Sequence, residues 1–143
     1  MSIRIQWFLF IIFIGMTTVV MSINASDRVN LVKEGVVLVE YIPSKGIYVS
    51  KAYIYQDGDE LVISGKVRRP YGSFAVTGHV DIEMLDPEGT TFKKTTATHI
   101  PRIVRRKGPR DASFTVRLPL ILPEGSTVRL GYHSSLDKAF NCK

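Results

Sequence analysis

The sequence predicts an all-β fold, a two-sheet antiparallel β-sandwich of about seven strands with an immunoglobulin-like or fibronectin-III-like arrangement. Apolar and polar residues alternate with a period of two along most of the chain after residue 34. Turn-forming sequences separate these runs at spacings of about 8–14 residues, and helical spacing never lasts beyond about one turn. A small closed barrel is the alternative. The Cys…Trp…Cys core of true immunoglobulin domains is absent, since Trp7 is the only tryptophan.

The N-terminal segment 1–25 has the layout of a secretory signal peptide. Arg4 supplies a positive charge, an apolar run follows from residue 7 to 21, and Ala25 is a small residue suited to cleavage. An uncleaved membrane anchor is the alternative, because the run is close to the minimum of about 17–20 residues that crosses a bilayer. Either interpretation predicts export to the periplasm or the cell surface, with membrane association under the second.

Three strands are predicted in the first half of the remaining chain. Residues 35–42 form a short apolar run that ends at the turn sequence 43–46. Residues 47–56 are rich in the β-branched and aromatic side chains that strands favour. The Asp57-Gly58 pair favours a tight hairpin turn, so residues 60–67 are predicted to be the returning strand.

Four strands are predicted in the second half, of which 74–85 has the clearest pattern. One of its faces is apolar and holds Val76, Gly78, Val80, Ile82 and Met84. The other face is polar and holds Thr77, His79, Asp81 and Glu83. The remaining predicted strands are 90–100, which is rich in threonine, 112–118 and 126–133.

Length and charge limit the classes of function. Residues 26–143 suit a single domain, with a weakly ordered C-terminal tail. The chain has 19 Lys and Arg against 13 Asp and Glu, a net charge of +6, and only Arg4 lies in the N-terminal segment. An exported basic domain is suited to an anionic glycan, a lipid headgroup or an acidic envelope protein. Nucleic acid is not expected as a partner in that compartment.

Cys142 is the only cysteine. A single cysteine cannot form an intramolecular disulfide, so the fold must be stabilised by its hydrophobic core. An odd thiol in an exported protein indicates either an unpaired residue in the tail or an intermolecular disulfide.

A basic loop is the strongest local signal for binding. The predicted ligand- or partner-binding residues are Arg102, Arg105, Arg106, Lys107 and Arg110 in this loop, with Arg68 and Arg69 at a strand end. Arginine holds phosphate or carboxylate through paired donors, so these residues are predicted to contact an anionic ligand or partner. The alternative is a loop that is simply solvated by its charges and discourages edge-to-edge aggregation.

The histidines provide an alternative, metal-binding hypothesis. His79 and Asp81 lie two residues apart on the polar face of a predicted strand, and His99 and His133 lie near the ends of other strands. Imidazole and carboxylate groups brought together across neighbouring strands can hold Zn or Cu. The spacing is not diagnostic, because an ordinary polar strand face has the same composition.

Catalysis is not expected. The sequence has no Gly-x-Ser-x-Gly motif, no glycine-rich phosphate loop and no cysteine–histidine pair outside the tail. No cofactor is expected either. Tyr53 and Tyr55 share a strand face, where aromatic rings either fill the edge of a core or contact a sugar or a partner.

Two passages, residues 61–69 and 78–89, resemble small exported β-sandwich proteins of Gram-negative bacteria, most of which have no assigned function. The resemblance implies a sandwich in the periplasm or at the cell surface, and it transfers no binding or catalytic residue. The sequence therefore predicts a non-enzymatic exported binding or assembly module that contacts an anionic ligand or partner through its basic loop. An exposed edge strand is a further way to recruit a partner.

Overall fold

The computed structural model describes residues 28–44, 46–71, 77–103 and 111–135. Within these ranges the chain forms eight strands and no helix, which confirms the all-β prediction. The strands are β1 Arg28–Asn30, β2 Leu38–Ile42, β3 Tyr48–Asp57, β4 Glu60–Arg68, β5 Gly78–Leu85, β6 Thr91–Ile100, β7 Asp111–Leu118 and β8 Thr127–Ser134.

Each predicted strand has an observed counterpart, and the differences lie at the ends. β2 begins at Leu38 rather than at residue 35, because the amides of Val36 and Val37 both donate to the carbonyl of Leu31 in the preceding turn. β1 was not predicted, since three residues are too few to show a period of two. The N-terminal segment 1–25 and most of the tail lie outside the described residues.

The strands form one continuous sheet in the order β1-β3-β4-β7-β6-β5-β8-β2. β6 links its halves, because it pairs with β5 from Thr91 to Thr98 and with β7 at His99 and Ile100. This differs from the predicted sandwich, in which two antiparallel sheets are separate. The sheet is also mixed rather than antiparallel throughout, since β2 runs parallel to β8.

The sheet curls so that its two ends approach each other. The amide of Ala52 in β3 donates a hydrogen bond of 3.2 Å to the Tyr41 hydroxyl in β2, although these strands are second and last in the sheet order. The inner surface of the curl encloses the hydrophobic core.

The core consists of alternate residues of the long strands. Side chains that are at most 1% exposed include Ile54, Leu61, Ile63, Val67, Val80, Ile82, Met84, Val128 and Leu130. Val76, which the alternation assigned to the apolar face of β5, lies outside the described residues. Val80, Ile82 and Met84 are three of the five residues assigned to that face, so that prediction is confirmed for them. Their polar neighbours on β5 must therefore lie on the outer surface of the sheet.

Candidate metal centre

The candidate centre lies on the outer face of the antiparallel pair β5 and β8. In this pairing His79 is directly opposite His133, and Asp81 is directly opposite Gly131. Directly opposed residues of an antiparallel pair share a face, as do residues two apart along one strand. His79, Asp81 and His133 are therefore brought to one place by the register of two strands.

The ligand atoms of these three side chains are close together. His79 Nε2 lies 3.1 Å from Asp81 Oδ1, and His133 Nδ1 lies 3.5 Å from Asp81 Oδ2. One ligand atom from each residue can be chosen so that all three lie within 4.8 Å of one another. Ligand atoms bound tetrahedrally to Zn²⁺ are about 3.3 Å apart, so small side-chain rotations are sufficient to reach a common ion.

The surroundings favour the nitrogen atoms as ligands. The His133 side chain is 13% exposed and that of His79 is 31% exposed, so both rings are largely removed from solvent. His79 Nε2 is itself buried, and despite its short distance to Asp81 it makes no hydrogen bond of acceptable direction. A buried ring nitrogen without an aligned partner is costly, and a bound cation would satisfy it.

Two glycines shape the strand contacts around this centre. A Cβ at Gly78 would lie 2.2 Å from the carbonyl oxygen of His133 and 2.5 Å from the Tyr132 hydroxyl oxygen. A Cβ at Gly131 would lie 3.3 Å from the side chain of Ile42 in β2. Gly78 therefore permits the close approach of β5 and β8 beside His79, while Gly131 leaves space next to Asp81.

The structure does not bring His99 to this centre. Thr98, not His99, is opposite His79, so the His99 side chain lies on the inner face and is only 1% exposed. Its Nδ1 lies 2.7 Å from the Pro101 carbonyl oxygen, which can only accept, so Nδ1 must donate. In the neutral ring Nε2 then accepts from the Tyr132 hydroxyl at 3.2 Å. Burial raises the pKa of Tyr132 to about 12, which keeps this hydroxyl protonated.

A row of alternating charges crosses the same outer face two residues farther along β5. Arg129 lies between Glu40 and Glu83, at 3.0 Å and 3.2 Å, and Lys94 lies 2.9 Å from the other Glu83 oxygen. The hydrogen bond from Lys94, followed by that from Thr91, lowers the pKa of Glu83. Sequence reasoning missed this row, because its partners lie on four different strands.

Of the seven predicted anion-binding residues, the structure describes only Arg68, Arg69 and Arg102. Arg68 forms two hydrogen bonds with the carboxylate of Asp111, at 2.8 Å and 3.1 Å, so its charge is matched. Arg69 is only 3% exposed, whereas Arg102 is exposed. The others, Arg105, Arg106, Lys107 and Arg110, lie outside the described residues, and contact with an anion through this loop stays a prediction.

Comparisons with known proteins find no match for this chain among protein-family models, curated proteins or solved structures. The part of the chain that the structure describes contains no helix that could span a membrane.

Proposed function

We propose that this protein binds a divalent transition metal ion, Zn²⁺ or Cu²⁺, through His79, Asp81 and His133. One observation supports the proposal above the others: a ligand atom of each residue lies within 4.8 Å of the other two. Two imidazoles and a carboxylate are a donor set suited to these ions. Three protein ligands would leave a coordination position for water or for a further ligand.

The proposal is for binding in an exported protein rather than for catalysis. The predicted signal segment would deliver the domain to the periplasm or the cell surface, where no ATP is available and bound metal exchanges with the surroundings. An outer-face site on two paired strands suits reversible uptake, since its most exposed ligand, Asp81, is 46% exposed. Binding at this surface site does not require a deep cavity. The pairing of β5 with β8 holds the two imidazoles opposite each other.

The proposal is tested with the full-length chain in which Cys142→Ser removes the thiol as a competing ligand. Zn²⁺ binding is measured by isothermal titration calorimetry, and Cu²⁺ binding by electron paramagnetic resonance, which detects coordinated nitrogen. We expect one ion per chain, with affinity reduced about tenfold or more by His79→Gln or His133→Gln. Binding should also weaken in acid, because imidazole must be deprotonated to coordinate.

Asp59→Asn is the matched control, because it removes an exposed carboxylate in the β3–β4 turn, away from the centre. Circular dichroism of the metal-free variants checks that each remains folded. The proposal is wrong if the parent chain binds no ion stoichiometrically, or if the histidine variants bind as tightly as Asp59→Asn.

A further inference from the structure

A β-bulge on β3 determines what the outer face of β3 and β4 presents to solvent. Val49 is opposite Val67, but the next pair is Lys51 opposite Lys66, so Ser50 is an extra residue in β3. Val49 is buried, whereas Ser50 and Lys51 are both exposed. The bulge thus directs two consecutive side chains outward and places Lys51 on the same face as Lys66.

β4 accommodates this bulge with a glycine. A Cβ at Gly65 would lie 2.3 Å from the carbonyl oxygen of Lys51, and on its other side it would meet the ring of Phe114 at 2.7 Å. Any larger residue at position 65 would displace the bulged backbone. The backbone, rather than the conformations of flexible side chains, therefore fixes the positions of Lys51 and Lys66.

Two lysines directly opposite each other in an antiparallel pair repel, which destabilises the sheet locally. Neither forms an ion pair among the described residues. The acidic group in the adjacent row, Asp111, is already held by both nitrogens of the Arg68 fork. A hydrogen bond with Tyr53 raises the pKa of Lys51, so its positive charge persists at neutral pH.

Aromatic rings and hydroxyl groups surround the lysine pair. Lys51 Nζ lies 5.1 Å from the centre of the Tyr53 ring, which stacks on Tyr55 at 6.3 Å, and Arg28 lies 5.7 Å from the Tyr55 ring. These contacts hold the cations along the strand. The register adds three hydroxyl side chains to the same face, namely Ser64, Ser113 and Thr115.

We propose that this face, defined by Lys51, Lys66, Tyr53, Ser64 and Thr115, binds an acidic polysaccharide. Sulfate or carboxylate groups of the chain would lie between the two lysines and relieve their repulsion, while sugar hydroxyls bond to the serine and threonine side chains. A single free anion is a poor fit, since one exposed ion pair contributes little binding free energy on its own. A polymer engages several such contacts at once.

The test measures binding of the full-length chain to heparin, a sulfated polysaccharide, with neutral dextran, inorganic sulfate and anionic phospholipid vesicles as comparisons. We expect salt-sensitive heparin binding that Lys51→Gln and Lys66→Gln each weaken about threefold, and the double variant about tenfold or more. Lys93→Gln is the matched control, because it removes an exposed lysine from β6. It should leave heparin binding unchanged.

A second readout separates this proposal from general attraction to a basic protein. Without ligand, Lys51→Gln and Lys66→Gln should leave the thermal midpoint unchanged or raise it, because each removes the repulsion. Heparin should then raise the midpoint of the parent chain more than that of the double variant. The proposal would be overturned if Lys93→Gln weakened heparin binding as much as Lys51→Gln or Lys66→Gln does. It would also be overturned if vesicle or free-sulfate binding depended on both lysines while heparin binding did not.

Discussion

Gly78→Ala is the substitution for which the structure predicts the sharpest local effect. Its Cβ would lie 2.2 Å from the His133 carbonyl oxygen and 2.5 Å from the Tyr132 hydroxyl oxygen. Restoring van der Waals separation requires β5 and β8 to move apart by roughly 1 Å at this end. Overpacking of that kind costs about 1–3 kcal/mol. Gly78 has no positive φ, so the cost is steric rather than conformational.

Gly131→Ala provides the control for that reasoning. It lies on the partner strand beside the same centre, but its Cβ would approach only the Ile42 side chain of the edge strand, at 3.3 Å. That side chain can shift, so the expected change is within about 0.5 kcal/mol. Urea denaturation measures both variants. Equal free energies of unfolding for the two would refute the argument, as would an unchanged free energy for Gly78→Ala. Gly78→Ala should also weaken Zn²⁺ binding, because His79 moves away from His133.

Three further predictions concern the charged row and the core. The Lys94 hydrogen bond lowers the pKa of Glu83 below 4.5, so its stabilisation is complete above that pH and is lost as pH falls through the folded-state value. Glu83→Gln should therefore flatten the acid limb of the stability curve measured by urea denaturation. Burial raises the pKa of Tyr132 from 10.0 to about 12. The contribution of this hydroxyl to stability is therefore complete below pH 10.0 and is lost as the pH rises from there through the folded-state pKa of about 12. The absorbance titration should show a tyrosine ionising near 12 that Tyr132→Phe removes. Ile82→Ala should lower the free energy of unfolding by about 2–5 kcal/mol, because Ile82 is buried in the core. Leu38→Ala should lower it by less than about 0.5 kcal/mol, because Leu38 is 65% exposed. Equal losses for the two variants would contradict the assigned core.

The sequence was sufficient to predict the strands because a period of two depends only on neighbouring residues. The apolar face of β5 followed from the alternation of Val80, Ile82 and Met84 with polar residues, and all three are buried. The continuity of the sheet could not be predicted in the same way. It depends on β6 changing its partner at His99, which is a tertiary event without a local signature.

The candidate centre was predictable in part for the same reason. His79 and Asp81 share a face through their spacing alone, whereas His133 joins them only through the register of β8. The sequence did contain a signal that excludes His99. Ala97 and His99 alternate with polar threonines in β6, which indicates an inward face, and both are buried.

Both proposed sites depend on places where two backbones come closer than a side chain would allow. Gly78 lets the His133 carbonyl approach β5, and Gly65 lets the bulged Lys51 carbonyl approach β4. In the alternation of apolar and polar residues, a glycine indicates only a weak strand position, since it adds no side chain to either face. The close backbone approach that each glycine permits brings together side chains of the two paired strands: His133 lies opposite His79, and Lys51 lies opposite Lys66. The two lysines repel each other without a ligand, and an anion relieves that repulsion. At the histidines, a cation satisfies the buried His79 Nε2. Both experiments therefore share one expectation: a ligand stabilises the fold at each pair, a cation at the histidines and an anion at the lysines.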